Sequence, residues 1–214
     1  MTPDDFVMQI GRRRATAILR TDLPHAAAPA AEAAIAAGFR IVEFTLTIPD
    51  ALERIRECAQ RHDIVVGAGT ILSTEDARHA VEAGAQYLVS PVFDPDVCAE
   101  ARRLNVAYMP GVFTATEMLT AHRAGAPLLK LFPGPEGGPK YVRSMLAPLP
   151  FLKIVPTNGV HLNNAAAYLK AGAWALGFTT ALFDPADLNT GNFERTEERG
   201  RKLLAEIARW VTES

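Results

Sequence analysis

The chain has 214 residues, 49% of them hydrophobic, and a formal net charge of -2. That is enough apolar material for one domain with a sizeable core, and the near-neutral balance gives neither nucleic acid nor an anionic membrane a reason to bind. No apolar run approaches the roughly 20 residues of a membrane helix, the polar opening residues lack the apolar segment of a secretion signal, and Cys58 and Cys98 have no metal-ligand spacing. A soluble cytoplasmic protein is expected.

Residues 1–14 predict a short helix, with Asp4 and Asp5 in its first turn and arginines at its end, matching the helix dipole. A strand over 15–20 follows, then an alanine-rich helix over 25–37 closed by Gly38. The second strand, 41–46, precedes a helix over 49–61 with Pro49 near its start. The third strand, 64–68, runs into Gly67-Ala68-Gly69-Thr70. A helix over 74–83 has Ser73 as N-cap and Asp76 in the position of a capping box. The fourth strand, 87–90, stops at Pro91, and a helix over 94–103 leads to the fifth, 106–109, stopped by Pro110-Gly111. A helix over 114–123 precedes the sixth strand, 128–132. A helix over 139–146, a seventh strand over 152–155 stopped by Pro156, a helix over 162–171 and an eighth strand over 173–178 follow, before a long helix over 194–211.

Strand and helix alternate about eight times with no linker, and the strands are apolar and β-branched, as parallel strands covered by helices must be. Ala37-Gly38-Phe39, Ala83-Gly84-Ala85, Ala124-Gly125-Ala126 and Ala171-Gly172-Ala173 each close a helix and turn into a strand, at intervals of about 46, 41 and 47 residues. The reading is a single α/β domain over 1–214, a (β/α)8 TIM barrel with a short N-terminal helix. An open doubly wound sheet is the alternative, but no Gly-x-Gly-x-x-Gly turn follows the first strand.

In such a barrel the chemistry sits at the C-terminal ends of the strands. Only five of the 22 basic residues are lysines, yet one stands inside the apolar run Leu128-Leu129-Lys130-Leu131-Phe132-Pro133. A cation there is costly unless it is paired or loses its proton, and a neutral lysine amine is a nucleophile for carbonyl carbon. A lysine that snorkels to solvent fits the run as well. Glu43 is the other charge within an apolar strand. Strand periodicity sets Ile41, Glu43 and Thr45 on one face and Val42 and Phe44 on the other, so both charges should point into the barrel. They make a base and nucleophile pair, or a structural ion pair.

The residues resemble a known family: the class I 2-keto-3-deoxy-6-phosphogluconate (KDPG) aldolases, grouped with the 4-hydroxy-2-oxoglutarate aldolases. The likeness runs from Ala17 to about Phe183. It lies in Ala17-Ile18-Leu19-Arg20, Val42-Glu43-Phe44-Thr45, Val66-Gly67-Ala68-Gly69-Thr70, Val89-Ser90-Pro91, Met109-Pro110-Gly111, Leu129-Lys130-Leu131-Phe132-Pro133 and Val155-Pro156-Thr157. The resemblance implies a TIM-barrel lyase, usually a homotrimer, with no metal or organic cofactor and a small keto-acid substrate. It implies that Lys130 forms an imine with the substrate ketone and that Glu43 shuttles protons. Phe132 would pack beside the imine, a place a core aromatic also fills. Thr70 and Arg20 would hold the substrate carboxylate, and Pro91 falls in a matching site motif.

The phosphate end departs from the family pattern. Thr-Gly-Gly and Gly-Ser are usual there; this chain reads Thr157-Asn158-Gly159 and Thr179-Thr180. Asn158 tolerates left-handed backbone less well than glycine, and Thr179 adds a side chain where the backbone would approach an anion. Cleavage of KDPG or its C4 epimer to pyruvate and glyceraldehyde 3-phosphate is expected. An unphosphorylated keto acid such as 4-hydroxy-2-oxoglutarate, or a barrel that binds a sugar phosphate without turnover, are the alternatives. The five histidines receive no role.

Overall fold

The structure, a computed structural model, describes residues 1–213 and side chains up to residue 212; Ser214, the end of the expected domain, lies outside the described residues. Helix α1 (Pro3–Arg13) leads into β1 (Ala15–Leu19), α2 (Pro24–Ala37), β2 (Ile41–Thr45), α3 (Ala51–Ala59), β3 (Val65–Gly69), α4 (Thr74–Glu82) and β4 (Tyr87–Val89). Then come α5 (Pro95–Arg103), β5 (Ala107–Met109), β6 (Gly111–Val112), α6 (Ala115–Arg123), β7 (Leu129–Leu131), α7 (Pro139–Leu146), β8 (Ile154–Pro156) and α8 (Ala165–Lys170). The chain ends with β9 (Leu176–Phe178), α9 (Pro185–Thr190) and α10 (Phe193–Glu213). Among the described residues no helix is long and apolar enough to cross a membrane.

The strands pair in parallel, in the orders β5-β4-β3-β2-β1-β9 and β6-β7-β8. The last strand lies beside the first, Ala15 opposite Leu176, so the sheet curls. Thr157, just after β8, bridges to Gly177 of β9, and the Trp174 N–H donates to the Ile154 carbonyl at 2.8 Å. The protein is thus an α/β fold with a curled parallel sheet and an N-terminal helix.

Alternation along each strand sorts the core in two. Ala17, Leu19, Val42, Phe44, Leu129 and Leu131 join the outer cluster beneath the helices. Ile41, Val65, Tyr87, Met109, Leu128 and Val155 form an inner cluster with Phe6, Val7 and Ile10 of α1. Each large apolar side chain buried this way contributes about 1.5–3 kcal/mol. Ile41, Val65 and Tyr87 start their strands and Leu128 directly precedes β7, so α1 plugs the end opposite the strand C-termini. Its Phe6 stacks on Tyr87 with centroids 4.1 Å apart. Thr2 and Asp5 cap it reciprocally.

The expected helix-closing glycines hold: Gly38, Gly84, Gly125 and Gly172 all have φ between 99° and 116°. Other boundaries differ for local reasons. Asp50 has φ 58°, so α3 starts at Ala51, with Pro49 just before it and not inside it. Ser73 caps α4 as expected, but the Asp76 carboxylate accepts from Leu72 N–H, one residue short of a reciprocal box. Pro110 interrupts the fifth strand without ending it, since a proline removes one donor and keeps its carbonyl; pairing resumes at Gly111 opposite Lys130. Pro156 likewise lies within β8. The helix expected over 162–171 starts only at Ala165, because the Asn164 side chain turns back to accept from His161 N–H at 2.7 Å. Helix α9 is an element the sequence reading did not contain.

Candidate active site

Lys130 is fixed from both sides. It lies opposite Gly111 on β6 and Val155 on β8, and its N–H donates to the Pro110 carbonyl at 2.9 Å. Leu129 and Leu131 turn into the outer core, so the Lys130 side chain points inward, 4% exposed. Its Nζ stands 5.1 Å from the centre of the Phe132 ring. Burial pushes its pKa below the ordinary lysine value; Glu43 raises it in part, and Arg20 lowers it further.

Glu43, opposite Gly67 on β3, is fully buried. Among the described residues neither carboxylate oxygen has a hydrogen-bond partner. Burial raises its pKa above the usual carboxylate range, and the charges of Lys130 and then Arg20 pull it part of the way back. Lys130 therefore acts on Glu43 through space and not through a hydrogen bond. Gly69 makes the room: a Cβ there would land on the Glu43 carboxyl group. An amine and a carboxyl group, each pushed toward its neutral form, are placed to exchange protons with one bound molecule.

A cleft of about 240 Å³ opens over Lys130, lined by Ile18, Arg20, Phe132, Thr157, Asn158, Thr179, Thr180, Phe183 and Pro185. Thr70 joins this set through Arg20, whose Nη2 donates to the Thr70 hydroxyl at 3.3 Å. Thr70 has φ 63°, a strained setting for a β-branched residue and one that marks functional positions. Asn158 and Gly159 have φ 71° and 74°, so the loop after β8 uses left-handed backbone at both positions.

Seven of the eleven residues singled out from the sequence line the cleft: Arg20, Lys130, Phe132, Thr157, Asn158, Thr179 and Thr180. Glu43 sits behind it and Thr70 beside it. Pro91 lies in a neighbouring cleft, with Gly111 and Phe113, that Phe132 also borders. Gly159 does not line the cleft; its carbonyl accepts from the Asn164 side chain at 2.9 Å. No histidine lines it. Ile18, Phe183 and Pro185 were missed. Ile18 was legible, since it shares the inward face of β1 with Arg20. Phe183 and Pro185 come from the loop into α9, where periodicity carries no information.

The sequence profile of one aldolase family, that of the KDPG and KHG aldolases, matches residues 8–198. The chain belongs to this family. It is 40% identical over 148 residues to the 2-dehydro-3-deoxy-phosphogluconate aldolase of Treponema pallidum, covering 67% of this chain and 69% of the relative. It is 36% identical over 172 residues to the probable 2-dehydro-3-deoxy-6-phosphogalactonate aldolase of Rhizobium meliloti, covering 79% and 81%. A solved structure described as native KDPGal superposes with a TM-score of 0.85 at 30% identity, over 92% of this chain and 96% of the other.

Within this aldolase fold, Gly69 yields a direct test of the buried carboxyl group. Gly69→Ala is expected to displace Glu43, lower aldolase kcat/KM by about 10²-fold and destabilise the fold by about 1–3 kcal/mol. Steady-state kinetics and a thermal melt check both; an alanine enzyme with wild-type kcat/KM would show that Glu43 needs no such space.

Proposed function

We propose that the protein is a Schiff-base aldolase that cleaves KDPG or its C4 epimer to pyruvate and glyceraldehyde 3-phosphate. The observation that carries this reading is the buried, inward-pointing Lys130 amine over which the cleft opens, with an unpartnered Glu43 carboxyl group behind it.

The Lys130 amine adds to the C2 ketone, and Glu43 gives its proton to the carbinolamine hydroxyl, which leaves as water and yields a protonated imine beside a Glu43 carboxylate. Glu43 then takes the C4 hydroxyl proton. The C3–C4 bond breaks, its electron pair flows to the imine nitrogen as an enamine, and the aldehyde leaves. Protonation at C3 and hydrolysis of the imine release pyruvate and restore the amine. Arg20 and Thr70 hold the carboxylate, for which a guanidinium fork is suited. Phe132 shields the imine from water. Thr157, Asn158, Thr179 and Thr180 receive the phosphate, Gly159 shapes the loop that carries Asn158, and Pro91 supports the wall behind Phe132. The scheme needs no metal or organic cofactor.

The fold is read further as a closed eight-stranded barrel and a single domain over 1–214. The last strand beside the first and the bridge from Thr157 to Gly177 support closure. We read the working form as a cytoplasmic homotrimer; Leu72 and Val92, exposed just after β3 and β4, offer apolar surface for it.

Comparing kcat/KM for phosphorylated and unphosphorylated 2-keto-3-deoxy acids tests the substrate. Two charge-assisted hydrogen bonds to phosphate predict an advantage of about 10²-fold or more. Equal values, or preference for 4-hydroxy-2-oxoglutarate, would contradict the assignment.

A further inference from the structure

Four charged residues among those described are buried: Glu43, Glu100, Lys130 and Asp187. Glu43 and Lys130 form the site. Glu100 is held by Arg78 and Arg103 at 2.7 Å each, between α4 and α5, and touches nothing in the cleft. Asp187 is different. It lies in α9, just beyond Phe183 and Pro185, which line the cleft.

A carboxylate is withdrawn from water at a cost that only close pairing offsets. Arg199 of α10 pairs with Asp187 at 2.6 Å, and the more exposed Arg195 reaches it at 3.5 Å. The same Arg199 guanidinium makes a second bond, with Nε donating to the Leu182 carbonyl at 3.1 Å. The N–H groups of Leu182 and Phe183 both return to the Thr179 carbonyl, at 3.0 and 2.8 Å. One planar group therefore ties two points of the segment to α10, and that segment's own turn runs back to Thr179. Thr179, Thr180, Phe183 and Pro185 form one wall of the cleft, and all lie on the tied stretch.

We propose that Arg199 is a positioning residue for substrate binding: by holding Asp187 and the Leu182 carbonyl together, it fixes the 179–187 wall that receives the tail of the keto acid. The proposal rests on the aldolase reading above. Lys130 and Glu43 are carried by β7 and β2, whereas the Arg199 guanidinium bonds to Asp187 of α9 and to the Leu182 carbonyl. The tail end should therefore depend on Arg199 and the imine end should not. The planar fork matters as much as the charge, because a lysine ammonium cannot present two fixed N–H directions.

Arg199→Lys and Arg199→Gln test this in the full-length protein. Arg199→Lys should raise KM for the keto acid about ten-fold, change kcat by less than about two-fold, and leave borohydride trapping of pyruvate as in wild type. Arg199→Gln should raise KM further; if it does not fold, the lysine variant still decides. An unchanged KM in Arg199→Lys overturns the proposal. So does a loss of pyruvate trapping that parallels the rise in KM, which marks general loosening of the fold. The substrate reading is judged separately, on wild type. If wild type gains nothing from phosphate, that reading fails, and the variants are compared on the keto acid that wild type does cleave.

Discussion

Lys130→Met is expected to lower kcat/KM for aldol cleavage on the order of 10⁵-fold, the scale seen when a covalent nucleophile is removed. The protein should remain folded. Methionine has nearly the length of the lysine stem, and it replaces an amine that β7 buries beside the Phe132 ring. Loss of the lysine charge also removes the group that pulls the Glu43 pKa down most, so Glu43 becomes easier to keep neutral in its dry setting. A melting temperature at or above wild type is therefore expected with nearly complete loss of turnover, the pattern of a site that trades stability for function. Kinetics and a melt on the same preparation separate this from unfolding. A folded variant that keeps a tenth of wild-type activity would rule Lys130 out as the nucleophile.

Glu43→Gln has the next largest expected effect, a loss of about 10²–10⁴-fold in kcat, the range for a general acid–base group. Its pH profile carries a second prediction. Imine formation needs the neutral amine, so activity rises with pH as Lys130 loses its proton. The Glu43 charge raises the Lys130 pKa, and a neutral glutamine does not. The rising limb of single-turnover imine formation should thus move to lower pH in Glu43→Gln even as the rate falls. A limb that stays in place, or moves up, would mean that the two groups do not interact.

The sequence carried the centre of the site because its signals are local. A charge inside an apolar strand is conspicuous, and period-two alternation sets its face without knowledge of the partner strand. Glu43 and Lys130 follow from that logic; Ile18 was open to it but was missed, and the role of Arg20 came from the family resemblance. The alternation of elements and the four helix-closing glycines made the α/β architecture readable in the same way. What escaped depends on distant groups. Helix α9 is six residues long and anchored by Arg199 on α10, so no window around it shows why it forms. Pro110 and Pro156 looked like strand ends because proline lacks a donor, yet the Pro110 carbonyl accepts from Lys130 N–H and Pro156 pairs in register with Leu131. Asp50 delays a helix through left-handed backbone that its residue type permits but does not announce. Asn158 shows the reverse: left-handed backbone was suspected there, and φ 71° is what the loop adopts.

The proposed mechanism requires a covalent bond between pyruvate and one lysine. Borohydride reduction in the presence of pyruvate, followed by mass analysis of the peptides, tests it most directly. A single pyruvate-sized adduct is expected on the peptide carrying Lys130, absent from Lys130→Met. An adduct on Lys140, Lys153, Lys170 or Lys202, or none at all, would contradict it.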